Sequence, residues 1–357
     1  MSERMVAVVL TLATLMASGC ARDATTGGGA GAPSALEPKV KVAGWLPTWT
    51  GSKGRALVTR ESGQALDECN AFWYGLKTDG TLKVSSSARN ETFIEAIQAA
   101  GGEFIPTIHD VADRDATAAV LASSSLRTRF VAEVVLEMET YGYDGIDIDF
   151  EHVKSSNKDR FHLLLAELRD ALHARGKILS IAIPGKRRPS PSWTGYDYEA
   201  VGPLVDRFKI MTYGAAGPWS SKPGPVAPTT WIRKVLDYAV TKVAPEKIYI
   251  GIPFYGFDWP ANGAKVRSVT WSSAQSKLAK SSAGMVYDEA RGSTMFEYRD
   301  AGVDHTVWFE DDRSIAAKTA LVEEYQVAGI AIWALGYGAD SFWTTISEAR
   351  RAAASRP

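Results

Sequence analysis

The sequence predicts an α/β protein built as a (β/α)8 TIM barrel, with a small α+β insertion between the seventh strand and the seventh helix. Short apolar runs alternate with amphipathic helical segments, and eight such strand candidates fall within about 320 residues without a linker between them. A doubly wound open sheet is the alternative. It is disfavoured because no glycine-rich phosphate loop follows the first strand, where Trp45-Leu46-Pro47 stands instead.

The composition narrows the class of protein. The chain has 357 residues with 40 Lys and Arg against 41 Asp and Glu, so its net charge is −1. This balance, without a basic run, argues against a nucleic-acid partner. The hydrophobic content of 45% argues against global disorder. The 11 tryptophans are many for a core. We therefore expect some of them to line a cleft for a flat ligand such as a sugar ring, and the others to fill the core.

The first residues predict export. A short basic start is followed by the apolar run Met5–Met16 and by small residues that end at Cys20. This order resembles the bacterial lipobox, in which the cysteine is lipidated. We expect a signal peptide over 1–19, a lipid-anchor cysteine and flexible linker over 20–38, and the barrel over 39–357. The predicted location is the bacterial cell envelope, with membrane contact only through the anchor; secretion is the alternative.

The strand candidates are apolar runs bounded by turn residues. They are Val40–Trp49, Ala71–Leu76, Glu103–His109, Gly145–Glu151, Ile178–Pro184, Arg207–Tyr213, Ile248–Tyr255 and Gly329–Leu335. One helix face is predicted by apolar residues at i, i+3, i+4 and i+7 spacing, from Phe161 to Leu172. Trp231–Lys242 and Ser314–Tyr325 are also helix-like. Residues 259–311 are rich in Ser, Gly, Tyr and charge, and they form the predicted insertion.

The fourth strand carries the strongest chemical signal, the segment Tyr143–Glu151. Side chains alternate along a strand, so Asp147, Asp149 and Glu151 share one face and apolar residues occupy the other. In a barrel strand these carboxyl groups face the axis. Glu151 then lies at the carboxyl end, where barrel active sites are found.

Three acids spaced about 6–7 Å apart along one strand cannot all ionise in a confined space. One carboxyl group should therefore keep its proton near neutral pH, as the acid that cleaves a glycosidic bond must. A solvated acidic edge strand is disfavoured by the regular apolar alternation. A metal site is the other alternative, but a single strand rarely surrounds a cation, and the five histidines show no zinc spacing. We predict no metal and no cofactor.

The motif Asp-x-x-Asp-x-Asp-x-Glu over 144–151 resembles the signature of glycoside hydrolase family 18, the chitinase-like (β/α)8 enzymes. Other matching segments are Met211-Thr212-Tyr213, Gly251–Gly256 and Ile332-Trp333. The sequence is most similar to the spore-cortex-lytic and spore-germination type N-acetylglucosaminidases. The segments that carry this similarity are Phe72-Trp73-Tyr74, Lys234–Ala239 and Val307–Asp311.

The resemblance implies catalytic roles. Glu151 would be the general acid and then the base that activates water, while the acetamido group of the substrate acts as nucleophile. Asp149 would orient that group and stabilise the oxazolinium intermediate, and Asp147 would hold or share a proton with Asp149. Tyr213 would hydrogen-bond the acetamido carbonyl. Asp144 and Gly145 are expected to be structural parts of the motif.

The resemblance also implies substrate contacts. Trp333 would form the floor beneath the sugar at the cleaved bond, with Trp45, Trp73, Tyr255 and Met211 as further binding residues. Other tryptophans near strand ends are candidate sugar platforms, although core packing is the alternative for each; these are Trp49, Trp219 and Trp259.

Several surrounding residues have a local interpretation. Gly214 stands where relatives carry an acid after the tyrosine, which leaves the substrate open. His109 and His152 are expected to be supporting hydrogen-bond partners. Lys186-Arg187-Arg188 is a solvated loop or a contact for an anionic glycan.

The predicted function is hydrolysis of β-1,4 linkages in N-acetylglucosamine-containing polymers, of the peptidoglycan or chitin type, by substrate-assisted retaining catalysis. The protein is expected to act as a monomer on its glycan. A non-catalytic chitinase-like glycan-binding protein is one alternative. An endo-β-N-acetylglucosaminidase for N-glycans is another.

Overall fold

A computed structural model of the protein describes residues 40–62, 66–111, 113–189 and 195–355. The predicted signal peptide, Cys20 and the predicted linker lie outside the described residues.

The barrel is a mostly parallel sheet of 11 strands. Its strands in chain order are β1 (Lys41–Leu46), β2 (Glu68–Ala71), β3 (Tyr74–Leu76), β4 (Leu82–Val84), β5 (Glu103–Phe104), β6 (Thr107–His109), β7 (Gly145–Asp149), β8 (Ile178–Pro184), β9 (Arg207–Met211), β10 (Ile248–Pro253) and, after the insertion, β16 (Gly329–Trp333). The order across the sheet is β4-β3-β6-β7-β8-β9-β10-β16-β1-β2-β5. Each predicted strand therefore has a counterpart in this sheet.

Two barrel positions consist of two short strands each. The second strand was predicted as one run over Ala71–Leu76, but the structure interrupts it at Phe72 and Trp73, between β2 and β3. The third position divides in the same way into β5 and β6. Because β2 pairs with β5 while β3 pairs with β6, the two ends of the sheet belong to the same pair of positions. The sheet therefore closes, and the predicted (β/α)8 fold is confirmed.

Helices follow the barrel strands and cover the outside of the sheet. Their bounds are α1 (Gly51–Ser62), α2 (Glu91–Ala99), α3 (Arg114–Ala122), α4 (Ser124–Tyr141), α5 (Lys158–His173), α6 (Tyr198–Val201), α7 (Thr229–Ala239), α9 (Asp312–Tyr325) and α10 (Asp340–Ala354), with α8 (Trp271–Leu278) in the insertion. The apolar face predicted for α5 is buried along its whole length. No helix within the described residues combines the length and apolarity needed to cross a membrane.

The insertion lies between β10 and α9. It is an antiparallel sheet of β11 (Tyr255–Pro260), β12 (Arg267–Thr270), β13 (Met285–Asp288), β14 (Ser293–Asp300) and β15 (Val303–Phe309), together with α8. It has a small core of its own that includes Val269, Phe296 and Val307. The antiparallel sheet begins at Tyr255, four residues before the predicted boundary at 259, because the chain leaves the barrel directly after β10.

Candidate active site

Strand β7 carries the acidic residues into the barrel. Ile148 and Phe150 are fully buried on the outer side, where Phe150 packs against Phe130 of α4 and Phe161 of α5. Alternation along the strand therefore directs Asp147 and Asp149 toward the axis. A cavity of about 730 Å³ lies where the barrel strands end. The described residues that line it are Trp45, Thr48, Trp49, Phe72, His109, Val111, Asp149, Glu151, Ala182, Pro184, Gly185, Lys186, Arg187, Arg188, Met211, Tyr213, Gly214, Trp219, Trp231, Tyr255 and Trp333.

Asp147 lies below this cavity, with no solvent exposure. Its carboxylate accepts four hydrogen bonds: from Trp45 Nε1 at 2.9 Å, Thr107 Oγ1 at 3.0 Å, Ser180 Oγ at 2.7 Å and Lys209 Nζ at 3.1 Å. A buried carboxylate is stable when donors of this number satisfy its oxygens. Asp147 is thus held in one orientation beneath Asp149, and the sharing of a proton between the two remains a prediction.

A buried ionic network continues below Asp147. Lys209, on β9, is fully buried and donates to Glu68, to Asn70 and to Asp147. Arg207 also pairs with Glu68. Burial alone would raise the pKa of Glu68, but the two cations outweigh it and lower that pKa to about 2. Sequence reasoning missed this network, although a lysine between Phe208 and Ile210 in an apolar strand is a signal, because a lysine is rarely buried without a partner.

Asp149 is the buried acid that faces the cavity. Its side chain is 4% exposed, and Oδ1 has no hydrogen-bond partner in the described structure. Burial, followed by repulsion from Glu151 and from Asp147, raises the pKa of Asp149 well above its usual range. Asp149 therefore differs sharply from Asp147, which is surrounded by donors. It is a carboxyl group that retains a proton readily and has an oxygen available for a ligand.

Glu151 is the second residue after β7, and its side chain reaches the water of the cavity. The protein around it removes part of that water, and this desolvation and the nearby Asp110 carboxylate raise the pKa of Glu151. A carboxyl group with a raised pKa at a cavity wall is suited to donating a proton to a ligand.

Asp110 is a functional residue that sequence reasoning missed. It is 1% exposed, and its Oδ1 accepts from the Glu151 backbone N–H at 2.8 Å. Its other oxygen accepts from the His152 backbone N–H at 3.1 Å and from Thr117 Oγ1 at 2.7 Å. The His152 ring lies at 3.0 Å from Oδ1, so His152 supports Asp110, as expected of a supporting partner. Asp110 thereby fixes the backbone that carries Glu151.

Three aromatic residues and a methionine complete the cavity. Met211 ends β9, Tyr213 follows two residues later, Tyr255 begins β11 and Trp333 ends β16. The rings of Tyr213 and Tyr255 meet edge to face at 6.3 Å between centroids. Burial, then repulsion from Tyr255 and from Asp149, raises the pKa of Tyr213 far above its usual range, so its hydroxyl keeps its proton and can donate. All four of these predicted contact residues line the cavity.

Two predicted sugar platforms lie elsewhere. Trp73 is 2% exposed and packs against Phe104 and Tyr143 on the helix side of the barrel. Phe72 lines the cavity in its place, because neighbouring residues of an extended chain point in opposite directions. Trp259 is buried inside the insertion, where it meets Phe257. Both of these binding-site predictions were wrong.

The tryptophans that line the cavity differ in how far they are exposed. Trp49 and Trp219 are exposed and line the cavity, so both have a free face for a ligand. Trp45 lies beneath the cavity at 1% exposure, and its Nε1–H is used by Asp147. Trp45 is therefore a support for the acidic strand as well as part of the cavity lining. Trp333 lies 6.3 Å from Trp45 and 6.2 Å from Trp49 between ring centroids, which places it between the buried and the exposed ring.

The motif residues at the start of β7 make contacts within the barrel wall. Asp144 accepts from the Phe104 backbone N–H at 2.8 Å and from Gln98 Nε2 at 2.9 Å, so it joins α2, β5 and β7. A Cβ atom at Gly145 would lie 2.3 Å from the Ile178 carbonyl oxygen, which excludes any side chain. Neither residue lines the cavity among its described walls.

His109 lines the cavity beside Phe72, on which its ring stacks at 5.2 Å. Burial lowers the pKa of His109, so the ring is neutral near pH 7. No group of three or more His, Cys, Asp or Glu within the described ranges has the arrangement of a metal site. The prediction that catalysis needs no metal stays a prediction.

The family model for glycosyl hydrolases family 18 matches residues 69–338. This range includes β7, the insertion and the cavity-lining residues from Phe72 onward. The chain belongs to this family. It is therefore a glycoside hydrolase, and the sequence resemblance is confirmed.

Relatives of this family 18 enzyme include two proteins of Bacillus subtilis. The cortical fragment-lytic enzyme of Bacillus subtilis is 30% identical over 309 residues, which are 83% of this chain and 71% of that protein. YdhD of Bacillus subtilis, named as a sporulation-specific glycosylase, is 38% identical over 227 residues, or 61% of this chain. The match spans only 53% of YdhD.

Solved structures of the same fold include a spore cortex-lytic enzyme and a chitinase. The spore cortex-lytic enzyme SleL of Bacillus cereus matches with a TM-score of 0.80 at 26% identity, over 87% of this chain and 74% of that one. A chitinase from Chromobacterium violaceum also matches with a TM-score of 0.80, at 29% identity, over 89% of this chain and 100% of that one.

Proposed function

We propose that this family 18 glycosidase hydrolyses β-1,4 linkages in N-acetylglucosamine-containing polymers by substrate-assisted catalysis with retention. The burial of Asp149 at the cavity, with Oδ1 free of any hydrogen-bond partner in the described structure, carries the proposal. A usual retaining glycosidase needs an ionised carboxylate as its nucleophile beside the acid. Burial raises the pKa of Asp149, which makes it a poor nucleophile and favours a nucleophile supplied by the substrate.

The proposed first step cleaves the glycosidic bond. Glu151 gives its proton to the leaving oxygen, while the acetamido carbonyl oxygen of the substrate attacks C1 and forms a cyclic oxazolinium ion. The free oxygen of Asp149 accepts a hydrogen bond from the acetamido N–H, and this bond, which a neutral carboxyl group can also form, stabilises the oxazolinium ion. The Tyr213 hydroxyl donates to the acetamido oxygen, and Trp333 packs against the C–H face of the sugar.

The proposed second step regenerates the acid. The Glu151 carboxylate takes a proton from water, the hydroxide oxygen bonds to C1, and the bond from C1 to the acetamido oxygen breaks. The acetamido group is restored, and C1 has been inverted twice, so its configuration is retained.

Peptidoglycan is the proposed substrate, with chitin as the second candidate. Two relatives are named as lytic enzymes for cortical fragments and for the spore cortex, and the cortex is a peptidoglycan layer, so their names support the first candidate. The chitinase of the same fold supports the second. Both polymers supply the N-acetyl group that the mechanism requires.

The test compares the wild type with Glu151→Gln on N-acetylglucosamine oligomers and on purified peptidoglycan. We expect the wild type to cleave and the variant to lose activity by a factor of about 10²–10⁴, because the leaving oxygen no longer receives a proton. Glu139→Gln is the matched control, since Glu139 is an exposed acid on α4 that pairs with Arg175. Mass spectrometry of the new reducing ends identifies the bond that is cut.

Other results would replace this proposal. Binding of the oligomers by the wild type without any cleavage would indicate a glycan-binding protein. Release of intact glycans from a glycoprotein, without cleavage of either polymer, would indicate an endo-acting enzyme for N-glycans.

A further inference from the structure

Two arginines line the active-site cavity from the loop after β8. Arg187 and Arg188 are both exposed, and neither has a hydrogen-bond or ion-pair partner among the residues that the structure describes. Some exposed arginines elsewhere have acidic partners, such as Arg175 with Glu139 and Arg299 with Asp304. The cavity wall therefore presents two guanidinium groups that the protein itself does not neutralise.

The base of this loop is fixed by Lys186, which was predicted to be solvated but is 6% exposed. Its ammonium group donates to the Tyr196 carbonyl oxygen at 2.6 Å and lies 5.1 Å from the centre of the Tyr198 ring. The Tyr198 hydroxyl accepts from the Lys186 backbone N–H at 3.0 Å and donates to the Pro184 carbonyl at 2.6 Å. The two arginines thus extend from an ordered base, which reduces the entropy lost when they bind a ligand.

The neighbouring loop supplies no acid to this side of the cavity. Strand β9 pairs with β8 up to Met211, and the chain then continues through Tyr213 to Gly214. Gly214 has φ of +101°, and the next cavity residue along this loop is the exposed Trp219. The acids among the described lining residues are Asp149 and Glu151, both from the β7 side.

We propose that Arg187 and Arg188 form a carboxylate-binding subsite, and that the preferred substrate is an anionic glycan. The substrate class is a polymer of N-acetylated sugars in which some sugars carry a carboxylate, such as the lactyl ether of muramic acid. A guanidinium group binds a carboxylate through two parallel hydrogen bonds, and a neutral polymer offers no such partner. This inference rests on the proposed glycosidase function.

The test uses three substrates that differ in charge: neutral N-acetylglucosamine oligomers, peptide-free peptidoglycan strands with free lactyl carboxylates, and the same strands after methyl esterification. The variant is Arg187→Gln with Arg188→Gln. The matched control is Arg299→Gln with Arg313→Gln, because both are exposed arginines outside the cavity. Thermal unfolding checks that each variant is folded.

We expect the variant to lose kcat/KM by about ten-fold to a hundred-fold on the free-acid strands, as expected for lost charge-assisted hydrogen bonds. On the esterified strands and on the oligomers, the factor by which kcat/KM falls should be at least about ten times smaller than on the free-acid strands. The control variant should have the kcat/KM of the wild type on every substrate. Added salt should weaken only cleavage of the free-acid strands by the wild type.

Equal losses on all three substrates, or no loss on the free-acid strands, would overturn the subsite. Failure of the proposed function has a different signature, namely no cleavage of any substrate by the wild type. Calorimetric binding of the free-acid and esterified strands to Glu151→Gln then tests the subsite without turnover. Equal affinity for the two would also refute it.

Discussion

At the scale of single residues, Asp110 fixes the backbone that carries Glu151 and adds to the desolvation that raises the pKa of Glu151. Its carboxylate raises the pKa of Glu151, so the acid stays protonated to a higher pH. Replacing Asp110 with Asn removes this negative charge and one acceptor for the backbone of 151–152. We expect the alkaline limb of kcat/KM against pH to move to lower pH, and activity at the optimum to fall about ten-fold.

Three titratable groups lie close to Glu151 and affect its pKa or are affected by its charge. Asp110 faces it from the loop after β6, Asp149 from β7, and His152 is the next residue and lowers its pKa. Asp115→Asn is the matched control, because Asp115 is an exposed acid five residues further along the chain. An unchanged alkaline limb in Asp110→Asn, or the same shift in Asp115→Asn, would refute the role of Asp110.

Asp149 is expected to lower stability in favour of function. Its pKa is raised in the folded protein, so the unfolded chain loses its proton at a lower pH than the native state does. The native state is therefore destabilised as the pH rises from about 3.8 through the raised pKa. We expect Asp149→Asn to be more stable than the wild type at neutral pH, by on the order of 1 kcal/mol, while activity falls about 10²-fold or more.

Chemical denaturation at several pH values measures this difference. The sign requires the advantage of Asp149→Asn to vanish below the ordinary pKa of an aspartate, where both states hold the proton. An advantage of equal size in acid and at neutral pH would point to packing instead. Asp170→Asn, at an exposed acid on α5, controls for a general charge effect.

The shared face of the acidic residues on β7 was predictable from sequence, but the residues that contact them from other strands were not. Alternation within β7 is a local pattern, so it assigns Asp147 and Asp149 to one face directly. Asp110 meets Glu151 across a sequence separation of 41 residues, and Lys209 meets Asp147 across 62. Such contacts depend on which strands are neighbours and on how they are aligned, which a single sequence does not specify.

At the scale of elements, the strands were predictable and the break in the second barrel position was not. Apolar runs indicate burial, and strand β8 has the bounds Ile178–Pro184 that were predicted for it. A run of apolar and aromatic residues such as 71–76 carries no mark of an interruption, because all of its residues are buried. Trp73 was therefore assigned to the cavity, although Phe72 occupies that place.

The network between β2 and β9 is expected to hold these strands in the barrel. Lys209→Met would leave Glu68 with one cation and Asp147 with three donors, inside a region closed to water. Removing one partner of a buried ion pair costs about 3–5 kcal/mol, so we expect an unfolding free energy lower by about that amount. Denaturation with urea measures it.

The control for this variant is Lys242→Met, which removes a surface pair with Glu199 and should leave stability unchanged within error. Adding Glu68→Gln to Lys209→Met should recover part of the loss, since the buried carboxylates of Glu68 and Asp147 otherwise have only Arg207 left of their two cations. A Lys209→Met protein as stable as the wild type would show that the network does not stabilise the barrel.

At the scale of the whole molecule, the net charge of −1 conceals an uneven distribution of buried charge. Inside the barrel, Glu68 and Asp147 lie with Lys209 below the cavity, and the acids without such a cation lie above them. The depressed pKa of Glu68, about 2, means that its contribution to stability is present above pH 4.5 and is lost as the pH falls toward 2. Lowering the pH therefore weakens the ionic network at the base of the barrel, whereas raising the pH removes the proton of Glu151.

We propose that Cys20 is lipidated and that the lipid holds the enzyme at the membrane. The apolar run that ends in small residues before Cys20 is the basis of this proposal, which also requires that residues 1–19 be removed. We expect Cys20→Ser to move from the membrane fraction to the soluble fraction and to lose incorporation of labelled palmitate. Cys69→Ser is the matched control, because Cys69 is fully buried in the barrel and cannot be acylated in the folded protein. Membrane association of Cys20→Ser equal to that of wild type would refute the anchor, while cleavage of N-acetylglucosamine oligomers by the soluble variant would show that catalysis does not need it.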